Sequence, residues 1–465
     1  METTIKRESL DNGVDIATAN RNLLGMRERI SYGVGDLASN LHWNMVSGFL
    51  MYYYTNVAML PVAALGTLFL LARGLDAFAD PAIGILVDRT DTRFGRARPY
   101  LLFGAIPLSC LGFLTFLTPF SGETAKLVYA YVTFLALGIA YSAVNIPYGA
   151  LLPMMARDSN HKLKLGSARA MGSAAGNVIV FSGAMPLVAW LGHGSQKQGF
   201  ALTAALFGIV SAVLFFVTYR NCREKYTDRP SAAQSGLGRA LRHMVSNRVW
   251  IVTSVFMVAV FIRLGVQLGV TVYFALNVLG KPWAIPILMS LIPVGALVAS
   301  FFAAAYYRRT GIRRGNVIAL IASGALFLFL PFVEGNLTVF VSVYALSCVM
   351  VGLPVASIFV MVGNVVDVQE YNSGVRSDGL IFSSVSLAAK LGIALGGALV
   401  GWGLAFGGYD PAAVSATARH VISVLYYAVF PLCILVQIIT VCFYDLDARH
   451  ATIVEELNRR RQRAA

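Results

Sequence analysis

Twelve stretches of this chain are apolar for about twenty residues or more, the length a helix needs to cross the roughly 30 Å hydrocarbon core of a bilayer. They fall at 30–57, 61–87, 99–119, 125–152, 166–191, 199–220, 250–278, 284–306, 315–334, 337–363, 378–406 and 418–444. Runs of this length predict membrane-spanning helices. Composition agrees: 57% of residues are hydrophobic, 13% are charged, and the mean hydropathy is +0.67. Too few charges remain to coat a soluble protein of this size. The expected fold class is an all-α integral membrane protein with twelve transmembrane helices.

The formal charge of +14 would suit nucleic acid if it lay on one surface, but it is segregated by loop. One set of loops carries Arg89, Arg93, Arg96 and Arg98; Arg157, Lys162 and Lys164; Arg223, Lys225, Arg229, Arg239, Arg242 and Arg248; Arg308, Arg309, Arg313 and Arg314; and Arg376. Both chain ends belong to this set, while the opposite loops hold only Lys126, Lys197, Lys281 and Arg419. Basic loops stay inside, so both termini are expected in the cytoplasm of a multi-pass plasma-membrane protein (the inner membrane in a bacterium), with no nucleic-acid partner. Met1 to Arg29 is polar and lacks an apolar signal region, so the first span is expected to act as an uncleaved insertion signal. The five cysteines have no metal-ligand spacing, and neither a structural disulfide nor a zinc site is expected.

The polar stretch 221–249 divides the spans six and six. The organisation reads as a tail at 1–29, a six-helix bundle at 30–220, a linker at 221–249, a second bundle at 250–444 and a basic tail at 445–465, expected to be solvated near anionic lipid. The halves echo each other: Asp88-Arg-Thr-Asp-Thr-Arg93-Phe-Gly95-Arg96 follows span 2, and Arg308-Arg-Thr-Gly311-Ile-Arg313-Arg314-Gly315 follows span 8. Two such pseudo-symmetric halves resemble the major facilitator superfamily, whose carriers bind substrate between the halves and alternate access by rocking.

Chemistry concentrates in span 2, at Arg73-Gly-Leu-Asp76-Ala-Phe-Ala-Asp80-Pro81. Arg73, Asp76 and Asp80 are three and four residues apart and share one helical face. Each ionisable group costs about 2.5–3.5 kcal/mol at the middle of a lipid-facing helix, so these face protein or a wet cavity. Two neighbouring carboxylates in low dielectric do not both stay charged cheaply, which suits reversible uptake of a proton or a small cation. A salt-bridge network that only holds the fold is the competing reading. Asp36 in span 1 and Arg263 in span 7 are further buried-network candidates, Asp36 equally a snorkelling group.

With those residues in place a narrower likeness emerges. Tyr32-Gly-Val-Gly35, Met51-Tyr-Tyr-Tyr54-Thr55, Gly66-Thr-Leu-Phe-Leu, the span-2 motif, Arg93-Phe-Gly-Arg-Ala-Arg-Pro99, Asn145-Ile-Pro147, Val366-Asp367 and Lys390 occur in order. Together they resemble the glycoside–pentoside–hexuronide:cation symporters, the melibiose permease group, over about residues 29 to 444. The resemblance implies that Asp76 and Asp80 bind the coupling cation, with Ser142 as a further hydroxyl and with Arg73 and Lys390 balancing the acids. The family's span-2 amide falls at Ala79, which leaves an oxygen short for Na⁺ at Asp76 and Asp80; H⁺ is favoured over Na⁺, and no cofactor is implied. The family's sugar-binding acids fall at Asn40 and Asn145, its sugar-facing tryptophans at Gly149 and Val355, and its span-1 lysine at Ser39. Its span-5 arginine is retained as Arg169. The coupling apparatus therefore matches better than the substrate pocket.

For substrate, a polyol needs amides and hydroxyls for its O–H groups and an aromatic face for its C–H surface. Asn40, Trp43 and Asn44 in span 1, Asn145 and Tyr148 in span 4, and Arg169 offer that chemistry; His42 reads more readily as a packing residue. Conformational roles are expected at Asp88, Arg93 and Arg96 as a loop latch, and at Asp367 and Glu370 near Arg376 as a gate or a solvated cluster. Tyr52-Tyr53-Tyr54 reads as an interfacial aromatic belt, and Gly166, Gly172 and Gly176 as a small-residue packing face. The expected function is a monomeric, cation-coupled symporter importing a sugar, glycoside or uronide. An amphipathic or lipid-like cargo on the same fold is the alternative, and a non-transporting sensor a weaker one. No HExxH, GxSxG or P-loop points to an enzyme.

Overall fold

The computed structural model describes residues 25–156, 159–226, 246–373, 378–447 and 449–464. Most of the linker, the first 24 residues and Arg376 lie outside the described residues. The helices in chain order are α1 (Met26–Met45, continued by π turns at Val46–Leu50 and Tyr53–Val57), α2 (Val62–Arg89), α3 (Arg98–Thr115), α4 (Glu123–Met155), α5 (Ser159–Gly192) and α6 (Gln196–Asn221). They continue with α7 (Arg248–Asn277), α8 (Ala284–Thr310), α9 (Ile312–Phe329), α10 (Leu337–Ser373), α11 (Asp378–Phe406), α12 (Ala416–Cys442, interrupted at Ala428) and a tail helix α13 (His450–Ala464). Eleven of these are long and apolar enough to cross a membrane. The exceptions are the charged tail helix α13 and α1, whose Asp36, Ser39, His42 and Asn44 are buried in the protein rather than facing lipid.

Packing repeats between the halves. The pairs α1–α5, α1–α6, α3–α6, α2–α4 and α3–α4 recur as α7–α11, α7–α12, α9–α12, α8–α10 and α9–α10, and the halves meet along α2–α11 and α5–α8. This is the twelve-helix, two-half architecture expected. Close approach in the first half depends on glycines: a Cβ on Gly172 would lie 1.9 Å from the carbonyl oxygen of Gly33, and one on Gly176 2.7 Å from Asn40 Cβ, whereas Gly166 faces open space. Only part of the small-residue stripe is therefore packed.

One device occurs twice. Glu224, just past α6, accepts hydrogen bonds from the backbone N–H groups of Arg96 (2.8 Å), Ala97 (2.8 Å) and Arg98 (3.1 Å) at the start of α3. In the other half Asp447, just past α12, accepts from the N–H of Arg313 (2.9 Å) at the start of α9. A carboxylate there meets orphan N–H groups and the positive end of the helix dipole. The preceding turns need left-handed backbone at Gly95 and Gly311 (φ 107° and 73°).

Three expectations are corrected. Tyr52, Tyr53 and Tyr54 are buried rather than interfacial: Tyr52 donates to Gln196 and meets the Tyr273 ring edge-on, and Tyr53 hydrogen-bonds Thr118. The rings fill the seam where the helices converge. The basic tail docks rather than dangles, with Ile453 and Leu457 buried and Arg460 donating to the Tyr371 carbonyl on α10. Helices α5 and α10 also run well past their apolar runs.

At the end away from the chain termini the halves are pinned together. Thr55 bonds Tyr273 (2.5 Å), Asn56 donates to Tyr409 (2.9 Å), and Gly401 comes so close to Gly66 that a Cβ would sit 2.9 Å from its nitrogen. All five cysteines are free thiols.

Candidate functional site

The α2 face carries the site as its spacing implied. Arg73 and Asp76 are buried and Asp80 is half-buried. Arg73 Nη1 donates to Asp76 Oδ2 at 2.6 Å, and its guanidinium lies over the Trp43 ring of α1, 4.7 Å from the centroid. From the other half Lys390 on α11 donates to Asp80 Oδ2 and stands 4.0 Å from Asp76 Oδ2. Two acids and two cations thus alternate across the α2–α11 seam. Asp80 Oδ1 is buried with no hydrogen-bond partner. Pro81 has no N–H, so the Ala77 carbonyl one turn earlier loses its helical donor beside these groups.

A void of about 20 Å³, enough for one water, adjoins Asp76. His42, Trp43, Arg73, Gly138 and Tyr141 are among its walls. Gly138 admits the acid: a Cβ there would lie 3.3 Å from Asp76 Oδ1. Ser142 is buried one residue beyond Tyr141 and is not on this wall. The oxygen donors beside Asp76 are consequently few, and the described residues hold no group of three or more His, Cys, Asp or Glu able to bind a metal.

Between the halves lies a second cavity of about 300 Å³, at the small end of the range for small-molecule sites. Asn40, Trp43, Asn44 and Asn177 line it from one half, Arg263 and Gln267 from the other. Asn44 Nδ2 donates to Asn177 Oδ1 at 2.6 Å. Trp43 lines both cavities, packing on Tyr141 (5.2 Å between centroids), so one ring lies between the void beside Asp76 and the larger space. Of the six substrate candidates, Asn40, Trp43 and Asn44 reach this cavity, and Asn145, Tyr148 and Arg169 are not among its lining residues. Arg169 is matched elsewhere: its Nε donates to Asp36 Oδ1 at 2.9 Å and it stacks on Tyr148, which stacks on Tyr32. Asp36 also accepts from Asn40 Nδ2 (3.2 Å), which makes this pair the support of the cavity wall. Asp36 is thus a buried partner, not a snorkelling group. Val355 lines the cavity; Gly149 instead faces Arg169, whose Nη1 a Cβ there would meet at 3.8 Å.

Sequence reasoning missed Asn177 and Gln267. The spacing of Arg263 and Gln267 at i,i+4 in an otherwise apolar span was the available signal.

The latch candidates separate. Arg96 donates to the side chain (3.2 Å) and carbonyl (3.0 Å) of Asp88; Arg93 lies over Phe94. Asp367 pairs with His450 of the tail helix at 3.1 Å, three residues before Glu370.

The family model for MFS/sugar transport proteins matches residues 31–448. The chain is 31% identical to the inner membrane symporter YicJ of Escherichia coli K12, over 95% of this chain and 96% of that protein. It is 34% identical to the putative glycoside/cation symporter YagG of the same organism (83% and 84% covered) and 31% identical to the isoprimeverose transporter of Lactiplantibacillus pentosus (95% and 93%). Among solved structures, a bacterial homologue of the lysosomal transporter Spinster matches with TM-score 0.65 at 14% identity, covering 92% of this chain and 98% of that one. The nucleoside transporter NupG matches with TM-score 0.62 at 14% identity (90% and 100%). The family match spans both halves and the helices that carry the acid–base cluster and the central cavity, and the chain belongs to the sugar-transport branch of the major facilitator superfamily, among the glycoside–pentoside–hexuronide:cation symporters.

Proposed function

We propose that this protein is a secondary active symporter of the inner membrane, importing a sugar or glycoside with a proton by alternating access. The observation that carries this reading is the cross-half cluster of Arg73, Asp76, Asp80 and Lys390 beside the central cavity. A relative named as a glycoside/cation symporter and another as an isoprimeverose transporter support the sugar class. An amphipathic or lipid-like cargo is not favoured.

Protonation of Asp80 cancels its attraction for Lys390 and frees α11 from α2. The displaced ammonium then turns to Asp76, 4.0 Å away, so one proton rearranges the seam on which the halves rock. Coupling follows if proton and substrate each favour the same closed state, since each can shift the equilibrium only by its differential affinity. For a neutral sugar the membrane potential contributes about 2.3 kcal/mol per 100 mV through the proton's charge; an anionic sugar carried with one proton moves no net charge and is driven by the proton concentration gradient. Ala79 in place of an amide, Ser142 off the wall and two resident cations support H⁺ over Na⁺, a hard cation that asks for several oxygen ligands.

Basic loops at the termini favour a cytoplasmic placement of both ends. The pinned end bearing Thr55, Asn56, Tyr273 and Tyr409 is then the outer one, closed in this structure. The working unit is a monomer. Uptake of a panel of labelled sugars and glycosides into proteoliposomes, with H⁺ and Na⁺ gradients imposed separately, tests the reading. Accumulation driven by the H⁺ gradient alone is expected; dependence on Na⁺ overturns the ion, and no accumulation of any solute overturns the function.

A further inference from the structure

The charges at mid-depth do not balance. Among the described residues, the middles of the helices carry Asp36, Asp76 and Asp80 against Arg73, Arg169, Lys390 and Arg263. Three matches are made: Arg73 with Asp76, Arg169 with Asp36, Lys390 with Asp80. Arg263 is left over. It is 3% exposed and fifteen residues into α7, and it keeps its charge because a guanidinium does not deprotonate in proteins.

What surrounds it is uncharged. Nη1 donates to Gln267 Oε1 at 3.3 Å, a long bond, and the group lies over the Phe430 ring at 5.0 Å. Nε is buried with no hydrogen-bond partner. Gln267 is itself fixed, its Nε2 donating to Tyr344 Oη at 2.8 Å, so its oxygen points to Arg263 and its amide cannot turn away. Both residues line the central cavity. Opposite stand the amides of Asn40, Asn44 and Asn177. A buried cation without a carboxylate is costly for folding, and a planar guanidinium is shaped to take a carboxylate through two parallel bonds.

We propose that Arg263, oriented by Gln267, is the anion-binding residue of the central cavity and that the substrate is an acidic sugar, whose carboxylate it takes while the facing amides take hydroxyls. This assignment rests on the central cavity being the substrate site. It moves the counter-charge from Arg169, which Asp36 already neutralises, to the opposite half. The cavity of about 300 Å³ suits a substrate of monosaccharide scale. A substrate anchored to α7 at one end and to α1 and α5 at the other bridges the halves, as alternating access needs.

The test is binding to the purified full-length protein of matched pairs that differ only at C6: D-glucuronate and D-glucose, D-galacturonate and D-galactose, methyl β-D-glucuronide and methyl β-D-glucoside. The acid member of at least one pair is expected to bind about tenfold tighter or more, as one charge-assisted contact supplies. Arg263→Gln should bring that pair within about threefold, and Arg263→Lys should keep part of the preference. A merely structural arginine would lower the melting temperature when removed; Arg263→Gln is expected to leave it unchanged or raised, because an unmatched buried charge is lost. The proposal is overturned by equal or better binding of the neutral member in every pair. It is equally overturned by an acid preference that survives Arg263→Gln, by no binding of any member, or by a melting temperature that falls in Arg263→Gln. Loss of gradient-driven uptake with the acid preference intact contradicts the transport reading and leaves this assignment standing.

Discussion

Replacing Gly172 by alanine adds one methyl group where α5 crosses α1, and the structure gives it nowhere to go. The new Cβ would lie 1.9 Å from the Gly33 carbonyl oxygen and 3.3 Å from the Leu37 nitrogen. Ordinary contact begins near 3.4 Å, so the helices must part by about 1.5 Å, and both obstructing atoms are backbone with no rotamer to yield. Overpacking costs about 1–3 kcal/mol when side chains can adjust; here the upper end applies. The better helix propensity of alanine returns about 1 kcal/mol, leaving about 2 kcal/mol or more. At about 2–4 °C per kcal/mol for a bundle of this size, the melting temperature should fall by about 4–8 °C. Transport should suffer beyond that, because the same shift stretches the 2.9 Å Arg169–Asp36 pair and moves Asn40 in the cavity wall. Gly166→Ala is the control: on the same stripe, its Cβ meets nothing within 4 Å, so it should melt no lower than wild type and transport normally. Melting curves in detergent together with uptake in proteoliposomes decide it. If the two variants melt within about 1 °C of each other, the close-packing argument fails.

Glu224→Ala strips three backbone N–H groups of their acceptor at the start of α3 and should destabilise by about 1–2 kcal/mol, as loss of a cap does, with Glu224→Gln in between; equal melting of all three proteins would refute the cap. Arg169→Gln takes the charge partner from the buried Asp36 carboxylate and should cost up to about 3 kcal/mol, the low end for a buried pair because the Arg169 side chain is 36% exposed, while Asp36→Asn combined with Arg169→Gln should recover much of that loss; a double variant as unstable as the single one speaks against the pair. Gly401→Val sets a branched side chain against the Gly66 backbone at the pinned end and should hold that end open, read as faster labelling of a cysteine placed at the half-buried Val57; unchanged labelling counts against the seam.

Much of the architecture is legible in the chain because one solvent dictates it: lipid forces long apolar helices. Within α2, local spacing was enough, since Arg73, Asp76 and Asp80 meet through one helical face. What spacing could not disclose is which distant charge answers which. Asp36 and Arg169 lie far apart in sequence, and only the α1–α5 crossing brings them together and so leaves Arg169 off the lining of the central cavity. Arg263 appears special only once its surroundings prove uncharged. Glu224 sits in a stretch that reads as basic linker, and its role depends on the start of α3 folding beneath it. The tyrosines of α1 carry the composition of an interfacial belt, but the π turns at Val46–Leu50 and Tyr53–Val57 accompany buried places, Tyr52 against Tyr273 of the other half and Tyr53 against Phe116 and Phe200 of its own. Local pattern fixes elements; partners are set by crossings that no single segment encodes.

Substrate-induced proton movement tests the coupling claim most directly. Proteoliposomes loaded with a pH-sensitive dye receive a transported sugar without any imposed gradient, for wild type and for Asp80→Asn, which cancels the charge that Lys390 answers. The account predicts that wild type acidifies the lumen as sugar enters and that Asp80→Asn still exchanges sugar while moving no protons. Acidification by Asp80→Asn equal to wild type would contradict it.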